Sequence, residues 1–342
     1  MKPAIDHARR RLLLAGASLA AWPLAAGATR PRQRVRASRA LMGTRVDVAA
    51  QGPDAESLRI AVDAAFARMS ALAGVMSHYE PASQVSAIGL ASGLQPVEVT
   101  PELMQVLQMA RDVAQRTGGA FDPTVGALGL WHFDAPHPQM PADAQIRRRL
   151  PSVDWHQLVL DERRRTAYLA RRGMRLDLGG IAKLYILQAG LATLQAQGVR
   201  SALVNGGGDV VALAAREDTP WRVGIRDPRQ PDRLLATLDV RSGFVASSGD
   251  YERFFVEGAR RWHHVLDPRT GRPTEGVRGI TLLADTLEAV NGLGTAGMVL
   301  GARAGRDMLR RVDGTQALIA SADGSLWMHD ALRERMSPPP GG

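Results

Sequence analysis

Cysteine is absent from all 342 residues. That removes disulfides, thiolate metal sites and a lipid-bearing N-terminal cysteine from consideration. Zinc-finger and thiol-enzyme chemistries fall with them, and the absence suits an oxidising compartment where a stray thiol is a liability. Aromatic residues are scarce at 5%. Few stand among the basic residues, which are themselves interspersed with acids, so a nucleic-acid-binding stripe is not supported. No fixed-period repeat, heptad pattern or obvious linker divides the chain. The most apolar stretch, from Leu12 to Ala28, is too short and too interrupted by Pro23 to read as a membrane-spanning helix.

What is present is enough apolar material, 45% of the chain, to bury a large core in one big domain or two modest ones. The formal charge is +9, and Lys2, Arg9, Arg10 and Arg11 against Asp6 place a third of it in the first 28 residues. The remainder is an ordinary basic surface, suited to an anionic nucleotide. Arg9-Arg10-Arg11 runs into Leu12-Leu13-Leu14, and the stretch closes on Ala26-Gly27-Ala28 before Thr29. This is the layout of a cleavable signal peptide over residues 1–28. The paired arginines resemble a twin-arginine signal, so the expected location is periplasmic, with no stable membrane insertion after cleavage.

Residues 29–40 read as a loose basic lead-in, and Leu41–Ala49 alternates like a strand. Over Ala55 to about Leu72 the apolar residues Leu58, Ile60, Ala61, Ala64, Ala65, Met69 and Leu72 mostly recur at helical spacing. A second helix is expected after Thr100 as cap and Pro101 at its first position, ending near Gly118. Between Gly173 and Leu213 the order is strand (Met174–Leu178), helix (Ile181–Gln197), strand (Ser201–Asn205). Later strands at Trp221–Ile225, Leu234–Val240, Gly243–Ser247, Trp262–Leu266 and Ile280–Leu283 are close enough in sequence to pair antiparallel. A last helix is expected over Thr286–Leu300, with Asp285 and Glu288 as its capping box. The fold class is α+β, with the main domain over residues 41–330 and a disordered tail over 331–342.

Several polar segments stand out against this frame. They are Met42-Gly43-Thr44, Met76 to Ser83, Gly119 to Val125, Asp177 to Lys183, Asn205 to Asp209, Ser248 to Arg253, and His263 to Gly271. Singly they are ordinary loop chemistry: on local sequence alone Gly179-Gly180 behind Asp177 reads more readily as a plain strand-to-helix turn with a capping Asp than as a ligand cradle. An isolated histidine reads more readily as structural than catalytic. His263 and His264 would point to opposite faces of a strand and so not share a role.

Taken together and in order, over roughly residues 40 to 300, these segments resemble the ApbE family of FAD:protein FMN transferases. The resemblance implies a two-lobed α+β fold with mixed or antiparallel sheets flanked by helices and a flavin site between the lobes. It implies FAD as substrate, Mg2+ as cofactor, and transfer of FMN to a Ser or Thr hydroxyl of an exported or membrane flavoprotein, with AMP released. By resemblance Met42, Tyr79, Ala120, Phe121, Asp122, Asp177, Lys183 and Val265 contact FAD. Gly180, Asn291 and Thr295 take the metal positions, and His264 is the base, a fitting role for a neutral imidazole. The turn Asp267-Pro268-Arg269-Thr270-Gly271 is expected to fix the histidine strand. The twin-arginine-like leader is also similar to that of the ApbE-like proteins that accompany nitrous-oxide-reductase maturation.

Three positions depart from the family pattern. Asn291 stands where an acidic metal ligand is usual, four residues before Thr295 on what reads as one helix face. Leu184 replaces a usual Gly and could crowd the flavin, and Gln188 replaces a usual Asp. The alternatives to a transferase are an exported FAD-binding scaffold with little catalysis and a magnesium-dependent FAD pyrophosphatase.

Overall fold

Alternating strands and amphipathic helices give the chain its layers. In the computed structural model, which describes residues 32–133, 137–258 and 260–339, the N-terminal strands are β1 (Gln33–Leu41) and β2 (Thr44–Gly52). Helices α1 (Ala55–Met76) and α2 (Gln84–Leu90), strand β3 (Val97–Glu98), and helices α3 (Pro101–Arg116) and α4 (Asp143–Arg149) follow. Next come β4 (Leu158–Asp161), β5 (Thr166–Leu169), α5 (Ala182–Ala196), β6 (Ser201–Gly206) and β7 (Asp209–Leu213). The second half holds β8 (Trp221–Asp227), β9 (Gln230–Val240), β10 (Ser242–Gly249), β11 (Phe254–Glu257), β12 (Arg260–His263) and β13 (Val277–Ala284). It closes with α6 (Leu293–Leu309), β14 (Gln316–Ser321), β15 (Leu326–Met328), α7 (Asp330–Arg335) and β16 (Met336–Ser337). The expected signal peptide lies outside the described residues.

The expected α+β class with antiparallel sheets is what the strands form. An eight-stranded sheet runs β1-β2-β6-β7-β10-β13-β14-β15, each neighbouring pair antiparallel. One face is buried with α1, α5 and α6 in the main core, which includes Phe66, Met69, Leu187, Leu282 and Met298. The other face packs through Val210, Leu283 and Leu318 against Trp221, Ile225 and Leu238 of the β16-β9-β8 sheet and Leu332 of α7. A third sheet, β3-β5-β4, lies beside α2 and α3, and β11–β12 is a separate hairpin. The described residues hold together as one unit. No helix among the described residues is long and apolar enough to cross a membrane.

Both long N-terminal helices start on a capping side chain, the second at the expected Thr100. Asp54 caps α1 through a 2.8 Å bond from Ser57 N, and Thr100 caps α3 with Pro101 in its first turn. Helix α5 packs directly on α1, because a Cβ on Gly190 would stand 2.6 Å from Met69 Sδ.

Five readings are corrected. The loose lead-in over 29–40 is strand β1 from Gln33 on, paired residue for residue with β2; Arg34, Arg36 and Arg39 are tolerated because it is a sheet edge. The strand read over Leu41–Ala49 is broken by the Met42-Gly43 turn, both at positive φ (54° and 68°), which joins β1 to β2. Met174–Leu178 forms no strand; among the described residues it carries one bridge, Arg175 to Val125. The last helix begins at Leu293, not Thr286, because the left-handed Gly292 (φ 73°) separates it from the turns before it, and α6 is kinked at Gly301 (φ 80°), directly after the expected end at Leu300. The tail is ordered through α7 and β16, where Met336 and Ser337 pair with β9.

Candidate active site

Two hairpin turns place the glycine-rich segments at one end of the large sheet. The Gly207-Gly208 turn joins β6 to β7 at φ 63° and 97°, and a side chain on Gly207 would collide with Thr44, 2.7 Å from its Oγ1. The Met42-Gly43 turn therefore lies alongside it, with Met42 half-buried against the main core. At the same end Asp209 Oδ1 accepts a 2.9 Å bond from Ser247 N on β10. A Cβ on Gly294 would stand 2.6 Å from Ser248 Oγ, so the start of α6 abuts the end of β10.

The turn Gly179-Gly180 enters this space ahead of α5. Asp177 Oδ1 accepts from Gly179 N at 2.8 Å, and Asp177 N donates to Pro123 O at 2.8 Å, which ties the segment to the Gly119–Val125 loop. A Cβ on Gly180 would lie 3.0 Å from Thr295 Oγ1 and 3.2 Å from the Phe121 ring. Gly180, Thr295 and Phe121 are thus neighbours. Asn291 is buried to 1%, and its Nδ2 donates to Ile181 O at 2.8 Å and toward Met109 Sδ at 2.9 Å. Its Oδ1 takes no hydrogen bond among the described residues. Because Gly292 lies between them, Asn291 and Thr295 do not share a helix face as the spacing suggested. Tertiary packing, not helical periodicity, brings both to the Gly180-Ile181 backbone.

A row of contacts crosses from this turn to the histidine. His78 Nδ1 lies 3.4 Å from Asp177 Oδ1, and the His78 and Tyr79 rings are 3.9 Å apart. The Tyr79 hydroxyl accepts a 2.8 Å bond from Arg253 Nη1, and Arg253 O accepts from His264 N at 3.1 Å. His263 and His264 do face opposite ways. His263 is buried and its Nε2 bonds Thr274 O at 2.9 Å, so burial pushes its pKa down. The His264 side chain is exposed, yet protein crowds it on its other sides. That crowding, then the positive charge of His263, Arg253 and Lys183, lowers its pKa to about 4. His264 is therefore a neutral acceptor at neutral pH. The following turn is closed by a 2.8 Å bond from Gly271 N to Asp267 O and tied down by Trp131 Nε1, which donates to Gly271 O at 3.0 Å.

Other site residues serve as framework. Both Asp122 oxygens are occupied, Oδ1 by Thr124 N and Oγ1 at 2.8 and 2.6 Å, and Oδ2 by Trp155 N at 3.1 Å. Its carboxylate holds the loop, and desolvation raises its pKa. Ala120, Phe121 and Val265 are buried core residues, and Val265 O accepts from Thr274 N at 3.0 Å. Leu184 is 4% exposed within the main core, which places it away from the open end; Gln188 is on the surface.

Lys183 Nζ lies 3.0 Å from Asp209 Oδ2, a partner that reading the motifs singly did not assign. Arg253 was also missed as a partner of Tyr79. One signal was available in the sequence: Lys183 is the only lysine beyond residue 31.

The residue range 42–319 matches the model of the ApbE family. The chain belongs to the ApbE family. It is similar to the FAD:protein FMN transferase of Treponema pallidum, 34% identical over 316 residues and covering 87% of each chain. It is also 31% identical over 345 residues to that of Rhodobacter capsulatus, covering 98% of this chain and 66% of that protein. Among solved structures, the ApbE protein of Thermotoga maritima superposes with a TM-score of 0.82 at 29% identity, covering 89% of this chain and 100% of that one. The flavin transferase ApbE of Vibrio cholerae gives 0.76 at 26% identity, with 89% and 100% covered.

A metal can be tested against the donors present in this ApbE-family site. Gly180, Asn291 and Thr295 could contribute a carbonyl, an amide and a hydroxyl, all neutral, while Mg2+ favours charged oxygens. No group of three or more His, Asp or Glu among the described residues is placed to hold a metal. Glu288 instead lines a separate groove of about 810 Å³ with Arg116 and Arg311. Such neutral donors would suit a cation only where a bound ligand's own anionic oxygens supplied the missing charge.

Proposed function

We propose that this ApbE-family chain transfers FMN from FAD to a Ser or Thr hydroxyl of a partner flavoprotein, releasing AMP, with Mg2+ bound near Gly180, Asn291 and Thr295. The observation that carries this is the meeting of sequence-distant groups at one end of the sheet. Asp177, Tyr79, Arg253 and His264 form a row beside Lys183, and Thr295 and Gly180 are in contact range.

The chemistry is phosphoryl transfer, whose demands are placement, charge neutralisation and a proton acceptor. The acceptor hydroxyl oxygen forms the new bond to the FMN phosphorus, and the bond from that phosphorus to the bridging oxygen breaks, the electron pair leaving on AMP. Neutral His264 takes the hydroxyl proton. Lys183 and the first turn of α6, which has no side-chain cap, face the diphosphate with positive charge. The metal, when bound, supplies charge neutralisation on the phosphate oxygens. Tyr79 is 68% exposed, which suits a ring that lies on a flavin or on the acceptor.

The twin-arginine-like leader and the absence of cysteine support export, and we place the mature protein in the periplasm. The test incubates the protein with FAD, Mg2+ and a candidate exported acceptor and follows the acceptor by mass spectrometry. A gain of one FMN on Ser or Thr supports transfer. Free FMN and AMP with an unmodified acceptor would replace it with the pyrophosphatase, and intact bound FAD with the scaffold.

A further inference from the structure

Beyond residue 31 the chain is rich in arginine but holds a single lysine, Lys183. A compact ammonium is not interchangeable with a planar guanidinium fork, so this position stands apart from every other cationic one. It is also an uncomfortable place for a cation. Lys183 lies in the first turn of α5, where the helix dipole repels positive charge, and Arg253 adds positive charge on the side of His264.

Asp209 is what offsets this. It opens β7 directly after the Gly207-Gly208 turn and is buried to 7%. Its two oxygens are divided between two elements, Oδ1 taking Ser247 N at 2.9 Å and Oδ2 standing 3.0 Å from Lys183 Nζ. The backbone bond fixes the carboxylate, and the fixed carboxylate fixes the ammonium. Glu252, on the segment after β10, adds a weaker negative field.

We infer that Asp209 is a positioning residue for the proposed transfer, acting through Lys183 by holding its ammonium at one place beside the diphosphate site. What Lys183 meets rests on the flavin reading; the coupling between Asp209 and Lys183 does not. With Asp209 in place the lysine stays protonated, because the Asp209 charge raises its pKa above the ordinary lysine value. Without it, the weaker field of Glu252 is left against the helix dipole and the nearby Arg253.

The experiment compares the full-length protein with Asp209→Asn, which keeps an oxygen for Ser247 N, and with Asp209→Glu, which restores the charge one methylene away. Amine acylation is followed at Lys183 by peptide mapping, which separates it from Lys2 and the N-terminus. In the apo protein Asp209→Asn is expected to label Lys183 severalfold faster, because loss of the Asp209 charge leaves more of the amine free, and Asp209→Glu to restore most of the protection. Transfer by Asp209→Asn should lose at least about tenfold in kcat with the FAD dissociation constant changed less than about threefold, the pattern of a charge needed in the transition state. An unchanged labelling rate would overturn the coupling, and faster labelling with wild-type kcat would overturn the positioning role. A kcat loss without faster labelling would make Asp209 merely structural. Should FAD fail to shield Lys183 in the wild type, the flavin reading fails instead, and the apo labelling rates still judge Asp209.

Discussion

His263 and His264 are adjacent in sequence and opposite in role, because alternate residues of an extended segment face opposite sides. His263 is committed to Thr274 O, which leaves His264 as the one facing the charged row. Replacement His264→Ala is expected to lower kcat by about 10²- to 10⁴-fold, the usual worth of a general base, while FAD binding measured by equilibrium titration persists. The pKa of His264 is depressed, so its neutral form survives to lower pH than an ordinary imidazole. The acid limb of kcat/KM should therefore fall below pH 6.5, the ordinary histidine value, activity being lost only as pH drops through the lowered pKa. A limb at or above that value would remove His264 from the role. Asn291→Asp is expected to give the apo protein a measurable Mn2+ affinity in a metal titration without FAD, where the wild type shows little, since it adds the one charge the Gly180 and Thr295 donors lack.

At the scale of elements, helices with explicit end signals were readable and those defined by tertiary contact were not. Thr100-Pro101 marks the start of α3 in sequence and in structure. The start of α6 was missed because Leu287 and Val290 continue the apolar pattern while belonging to buried turns; only the left-handed Gly292 shows the break. Strand β1 was missed because its basic residues look like a leader, although on a sheet edge they cost little. The crossing of α1 over α5 depends on Gly190. Gly190→Ala is expected to destabilise the protein by about 1–3 kcal/mol, the usual range for overpacking a core, read as a lower denaturation midpoint with an unchanged m-value. A neutral result would mean that Met69 moves aside freely, although it is fully buried.

For the whole molecule, the site is a property of the sheet's end, where the turns before β2, β7 and α5, the end of β10 and the start of α6 meet. A ligand bridging that many elements should stabilise all of them together. Saturating FAD with Mg2+ is expected to raise the thermal midpoint by several degrees, since about 2.7 kcal/mol accrues at a hundredfold excess over the dissociation constant. The rise should exceed that with either component alone, because the protein donors for the cation are neutral; equal shifts from Mg2+ alone would show a metal site independent of the nucleotide. The sequence by itself determined the α+β class, the family and the order of the polar segments, because hydrophobic period, caps and turn residues act over a few neighbours. Tertiary structure alone decided that Asn291 reaches Ile181 from a turn, that Asp122 is spent on the loop, and that Asp209 holds Lys183. Those outcomes depend on through-space distances between residues 26 to 110 positions apart, which no local pattern encodes.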